Sequence, residues 1–126
     1  MKLLFTGDAC LARLDLDAYI VGPKLAAAMR EADAVIGNLE SPLTNTNETM
    51  ENQPLVLKHE PKSSALLSAF DVVSLANNHI LDYTWIGLSD TIRFLDGEGI
   101  HHCGAGMTEE EALRPAVIEK DRKSVV

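Results

Sequence analysis

Residues 74–83 read Ser-Leu-Ala-Asn-Asn-His-Ile-Leu-Asp-Tyr. The apolar run Val72-Val73-Ser74-Leu75-Ala76 stops at two amides and an imidazole, Asn77, Asn78 and His79, and a carboxylate follows at Asp82. Two other apolar runs stop in the same way. Phe5-Thr6 leads into Gly7-Asp8, and Val35-Ile36-Gly37 leads into Asn38-Leu39-Glu40. Carboxylates, amide oxygens and one imidazole form a hard, mixed oxygen and nitrogen donor set. Such a set suits Mn²⁺, Mg²⁺, Fe or Zn²⁺, and differs from a thiolate site. An imidazole with a carboxylate nearby also suits proton transfer.

Each of the three runs reads as a strand, and the strands alternate with segments of helical period. In an open parallel sheet the carboxyl ends of the strands share one edge, where crevices form. Asp8, Asn38, Glu40, Asn78 and His79, with Asn77 beside them, are therefore expected in one crevice. Gly7 and Gly37 would let the backbone turn tightly there. Taken singly, each residue has a plainer reading: Asp8 as a cap or turn former, Glu40 as a surface acid, the asparagines as turn residues, His79 as a loop histidine. Their coincidence at three strand ends carries the expectation. His59, in an expected edge strand, and His101-His102 read as structural. Tyr83 and Trp85 read as shielding the site or packing on the following helix, and Cys10 as a small buried residue.

The positioning elements follow from the pattern. Lys2–Thr6, Ala34–Gly37 and Asp71–Ala76 read as strands. The segment from Gly22 to Ala32 carries Leu25, Ala28, Met29 and Ala32 on one face and opens with Pro23, a one-faced helix. After it, residues 41–54 are irregular, and Leu55–His59 reads as a short strand. Pro61–Phe70 reads as a helix with Leu66, Leu67 and Phe70 inward. A longer helix places Leu88, Ile92 and Leu95 inward and stops at Gly97 or Gly99. A strand at 100–104, a short helix opened by Glu109-Glu110-Glu111, and a hairpin of 116–119 with 124–126 complete the reading. The fold class is α/β with a largely parallel sheet flanked by helices.

Composition narrows the partners. The 126 residues carry a net charge of −8, and 46% of them are hydrophobic, enough for one domain with a real core. That acidity argues against nucleic acid or an anionic membrane surface as the main partner, since both require basic patches. No run approaches the ~18 apolar residues of a membrane span, and the start is too short for a signal-peptide core of about 7–15 residues. Cys10 and Cys103 form no close pair. A reduced, cytoplasmic setting is the default expectation, with membership of a membrane-associated complex left open.

The segments "FTGD", "GNLESPLT", "DVVSLANNHILDY", "GLSDTIRFLDGEGI", "GAG" and "EEALRPAVIE" resemble, in order and spacing, the CapA family of capsule or poly-γ-glutamate biosynthesis proteins. That family belongs to the calcineurin-like metallophosphatase superfamily, and the resemblance runs over essentially the whole chain. It implies a sandwich of two packed sheets flanked by helices, with a two-metal site. Asp8 would stand for the first metal-ligand aspartate, Glu40 for the acid after the second strand, and Asn78 for the metal-binding asparagine. His79 would orient the phosphate or protonate the leaving group, and Asp82 would fix His79. Asn38 and Asn77 would support them. There are departures. The superfamily places a histidine two residues after its first aspartate, where this chain has Cys10. Thr84 and Ala69 stand where glycine is common. The chain reaches Val126 before the downstream histidine motifs, so residues 1–126 read as the N-terminal part of a single domain.

Two functions follow as expectations. One is a metal-dependent phosphoesterase-type hydrolase, in which two ions about 3.5–4 Å apart activate water for in-line attack at phosphorus. The other is a non-catalytic binding or assembly component of polymer synthesis or export, or an inactive fragment. An anionic polymer or phosphoester would be met through metal, because the chain is itself acidic. Other capsule-synthesis proteins are expected partners.

Overall fold

The computed structural model describes residues 1–10, 21–61 and 67–119. Four strands, β1 (Leu3–Ala9), β2 (Ala34–Leu39), β3 (Val72–Ser74) and β4 (His101–Cys103), form one sheet in the order β1-β2-β3-β4. Every pair is parallel. Three helices accompany them: α1 (Pro23–Glu31), α2 (Thr84–Glu98) and α3 (Glu109–Leu113). This is an α/β architecture of a parallel sheet flanked by helices, as the alternating pattern predicts.

The core lies on the face covered by α2. Leu39, Val73 and Leu75 meet Leu88 and Leu95 of α2, with Leu43, Leu67, Ile80 and Ile100 completing the cluster. Fully burying a side chain of this size contributes about 1.5–3 kcal/mol. In α2, Leu88, Thr91 and Leu95 recur at helical spacing on the buried side, and Ile92 packs at the margin. The helix ends where Gly99 enters the left-handed region at φ 70, and Ile100 N–H closes the last turn on the Leu95 carbonyl at 2.9 Å. At α3 the Thr108 side chain accepts from Glu111 N–H while the Glu111 carboxylate accepts from Met107 N–H. These reciprocal bonds start the helix, and its acidic first turn is exposed.

Several elements differ from the sequence expectations. Gly37 does not turn the chain but lies within β2. A Cβ there would come within 2.5 Å of Phe70 Cε1 and 2.7 Å of Thr6 Oγ1, so close packing demands the glycine. Leu55–His59 is not a strand. It meets Leu43 through a single bridge at His59, because the Leu57 N–H serves a side chain instead of a ladder. The segment 67–69 makes a 3₁₀ turn and residues 62–66, including Leu66, lie outside the described residues. Residues 116–119 follow Pro115 without sheet pairing among the described residues, and the hairpin's other half, 124–126, lies outside them. The α1 stripe is shallow: no residue of this helix is buried, and Leu25 is exposed. Cys10 is exposed, not buried, since it follows the last paired residue of the edge strand β1.

Candidate functional site

The parallel sheet brings its carboxyl ends together, and side-chain hydrogen bonds join them. An irregularity in β1 between Phe5 and Asp8 resets the register so that Asp8 pairs with Asn38 of β2. Such bulges re-aim side chains beside sites. Asn38 Nδ2 donates to Asp8 Oδ1 at 2.8 Å. Asn38 Oδ1 in turn accepts from Asn77 Nδ2 at 3.1 Å. Asn77 Nδ2 also donates to the Leu39 carbonyl at 2.8 Å, and Asn77 Oδ1 accepts the His79 backbone N–H at 3.0 Å. This last bond is the local turn that asparagine favours, and it fixes the direction in which His79 leaves β3.

His79 Nδ1 lies 2.7 Å from Asp82 Oδ2. An ionised carboxylate only accepts, so Nδ1 carries the proton, and in the neutral ring Nε2 keeps its lone pair. The Asp82 side chain is 2% exposed. Leu57 N–H donates to the same Oδ2 at 2.8 Å, and Met50 N–H donates to the Asp82 carbonyl at 3.0 Å. The irregular stretch after β2 therefore roofs the aspartate and supplies the donor that a buried carboxylate requires.

Glu40 follows directly on β2 and is half-buried, and Asn78 is exposed between Asn77 and His79. Neither makes a side-chain hydrogen bond to another described residue. Tyr83 sits beneath Lys58, whose Nζ is 4.9 Å from the ring centroid, while Trp85 is exposed on α2. His101 and His102 are in β4, where His102 Nε2 meets Asp96 Oδ1 at 3.2 Å.

The interactions around His59 are not among the sequence expectations. Its side chain is buried, and its Nε2 lies 2.7 Å from Ser41 Oγ, one residue past Glu40. Burial lowers its pKa from 6.5 to about 4, so the ring is neutral at pH 7. Its backbone accepts from Thr44 N–H and donates to the Pro42 carbonyl, each at 2.9 Å. In the sequence His59 stands between Lys58 and Glu60 at the end of the expected strand 55–59, and periodicity cannot show what its ring meets.

Asp8, Glu40 and Asn78 offer oxygens of the kind a hard divalent cation takes. In kind they fit such an ion; in number they do not close a coordination shell. Among the described residues no three His, Cys, Asp or Glu side chains gather to hold a metal.

The chain is similar to the "Probable polyglutamine synthesis accessory protein" of Mycobacterium tuberculosis, 38% identical over 88 residues, covering 68% of this chain and 23% of that protein. It is 30% identical to the "PGA biosynthesis protein CapA" of Bacillus subtilis over 94 residues, covering 72% of this chain and 25% of that protein. With the "Capsule biosynthesis protein CapA" of Bacillus anthracis it shares 32% identity over 83 residues, covering 62% and 20% respectively. The chain spans about a quarter of the length of the curated relatives it matches. No described helix is long and apolar enough to cross a membrane. The model of the family "Bacterial capsule synthesis protein PGA_cap" matches residues 2–126, and the chain belongs to that family.

Proposed function

We propose that this chain supplies one side of a phosphoester-hydrolysing, metallophosphoesterase-type site in a protein of capsule or poly-γ-glutamate synthesis. The observation that carries the reading is the run of side-chain bonds from Asp8 through Asn38 and Asn77, continued by the turn to His79 and Asp82. Asp8, Glu40 and Asn78 would hold divalent metal at the sheet edge. When bound, such metal supplies an activated water at neutral pH and offsets charge on phosphoryl oxygens. The chain's own part is positional and acid–base. Asp82 holds the His79 ring by its Nδ1 proton, which presents Nε2 to give or take a proton at a leaving-group oxygen. The acidic surface leaves an anionic phosphoester or polymer to be met at the metal.

A second reading is a non-catalytic assembly component of polymer synthesis. It is favoured by Phe5, 69% exposed on the edge strand β1, and by the accessory role named for the mycobacterial relative. Hydrolysis of a panel of phosphomonoesters and phosphodiesters with added Mn²⁺, in a parent protein of the relatives' full length and in its His79→Asn variant, separates the two. The first reading expects turnover that falls by about 10²–10⁴-fold in the variant, the usual contribution of a positioned acid–base group. Turnover equal in both proteins, or none in the parent, overturns it.

A further inference from the structure

Residues 57–59 cross between the two halves of the candidate site and are tied to both. Leu57 N–H reaches the Asp82 carboxylate at 2.8 Å. Two residues on, His59 grips the segment that follows Glu40 by three bonds: its ring to Ser41, its N–H to the Pro42 carbonyl, and its carbonyl to Thr44 N–H. Between them Lys58 Nζ donates to the Thr46 carbonyl at 2.6 Å and to Asn47 Oδ1 at 2.9 Å, above the Tyr83 ring. Ser41, His59 and Asp82 are all buried, so water cannot readily replace these partners.

From this arrangement we infer that His59 is a positioning residue for His79, acting through the strap it anchors. The inference rests on the proposed acid–base role of His79, though its geometry stands without it. The Leu57 N–H is set by a backbone outside the sheet ladders, and the bonds made by Lys58 and His59 help fix where it points. Aimed at Asp82 Oδ2, it shares that oxygen with His79 Nδ1–H and holds the carboxylate in the one direction that keeps the ring in a single tautomer. If the strap loosens, Asp82 can rotate, and the His79 ring is free to exchange tautomers or turn over. The neutrality of His59 suits the role, since a charged ring would not remain buried against Ser41.

The test reads the imidazole nitrogens of His79 by ¹⁵N NMR at a pH where the ring is neutral. A fixed tautomer gives one protonated and one unprotonated nitrogen with widely separated shifts. In the parent chain the Nδ1 signal should be the protonated one. In His59→Leu, which keeps bulk but loses the ring nitrogens, the two shifts should move toward each other. His59→Gln, whose amide can reach Ser41, should restore the separation. Unchanged His79 shifts in folded His59→Leu overturn the inference. Should that variant not fold, Ser41→Ala gives the same readout: narrowed separation supports the clamp, and an unchanged one overturns it. The shifts report geometry without any turnover, so a failed phosphoester assay would sink the hydrolase reading and leave this result to stand or fall alone.

Discussion

The side-chain amide of Asn77 reaches across 39 positions of sequence to Asn38, while the same nitrogen caps the Leu39 carbonyl. One residue thereby ties the end of β3 to the end of β2, and its oxygen also orients the His79 backbone. Asn77→Ala removes all three bonds at a half-buried position and leaves Asn38 Oδ1 without that donor. A net loss of about 1–3 kcal/mol is expected, measured as a lower urea midpoint at unchanged m-value. A midpoint within error of the parent would show that these bonds contribute nothing net.

Thr84 opens α2 at φ 59, in the left-handed region that a β-branched residue rarely enters. The family resemblance places a glycine there, and the backbone explains why. Left-handed backbone costs a non-glycine residue roughly 1–2 kcal/mol. Against that, glycine forgoes the weak Thr84 Oγ1 bond from Ile86 N–H at 3.3 Å and carries more unfolded-state entropy. Thr84→Gly should therefore be stabilising by about 0.5–1 kcal/mol, seen as a raised thermal midpoint. A fall in the midpoint would mean that the local bond outweighs the strain.

How much of this was legible in the sequence depended on what the backbone groups do. Parallel strands left apolar runs, in β2 and β3 because they are buried and in β1 although none of its residues is, so all three could be placed and their polar ends read as sharing one edge. The acidic helix start at Glu109-Glu110-Glu111 and the helix stop, read as Gly97 or Gly99, were local and equally plain. The strap at 57–59 was not, because its Leu57 N–H answers a carboxylate 25 residues away and leaves no periodic mark. Gly37 misled for a related reason. Its need is space for Phe70, a contact between distant segments that looks in sequence like a turn.

Acid should expose the cost of burying His59. Its pKa is lowered from 6.5 to about 4 in the folded chain by desolvation. Between those values the unfolded chain binds the proton and the folded chain does not, so stability rises with pH across that window. Equivalently, this contribution is complete above about pH 6.5 and is lost as the pH falls toward 4. His59→Gln has no proton to bind, so its stability curve should be flatter than the parent's over the same range. Equal slopes in urea titrations from pH 7 to pH 4 would mean that His59 titrates normally when folded.

The most direct check on the edge itself is cation binding. Asp8 and Glu40 leave adjacent strands, and Asp8 already has one oxygen held by Asn38. Replacing either carboxylate with an amide of the same shape, as Asp8→Asn or Glu40→Gln, should leave the fold intact. If these oxygens take a hard cation, each change should weaken Mn²⁺ binding, measured by calorimetry, by at least the roughly tenfold that disturbing a metal site's hydrogen-bonded support typically costs. Circular dichroism on the same samples guards against unfolding. Asn78→Ala should follow the same pattern, whereas Glu109→Gln, in the exposed first turn of α3, should bind Mn²⁺ as the parent does. Should Glu40→Gln and Glu109→Gln bind alike while Asp8→Asn is impaired, Glu40 is a surface acid and the cation is held without it. Equal affinity in all four variants and the parent would remove the metal from this edge altogether.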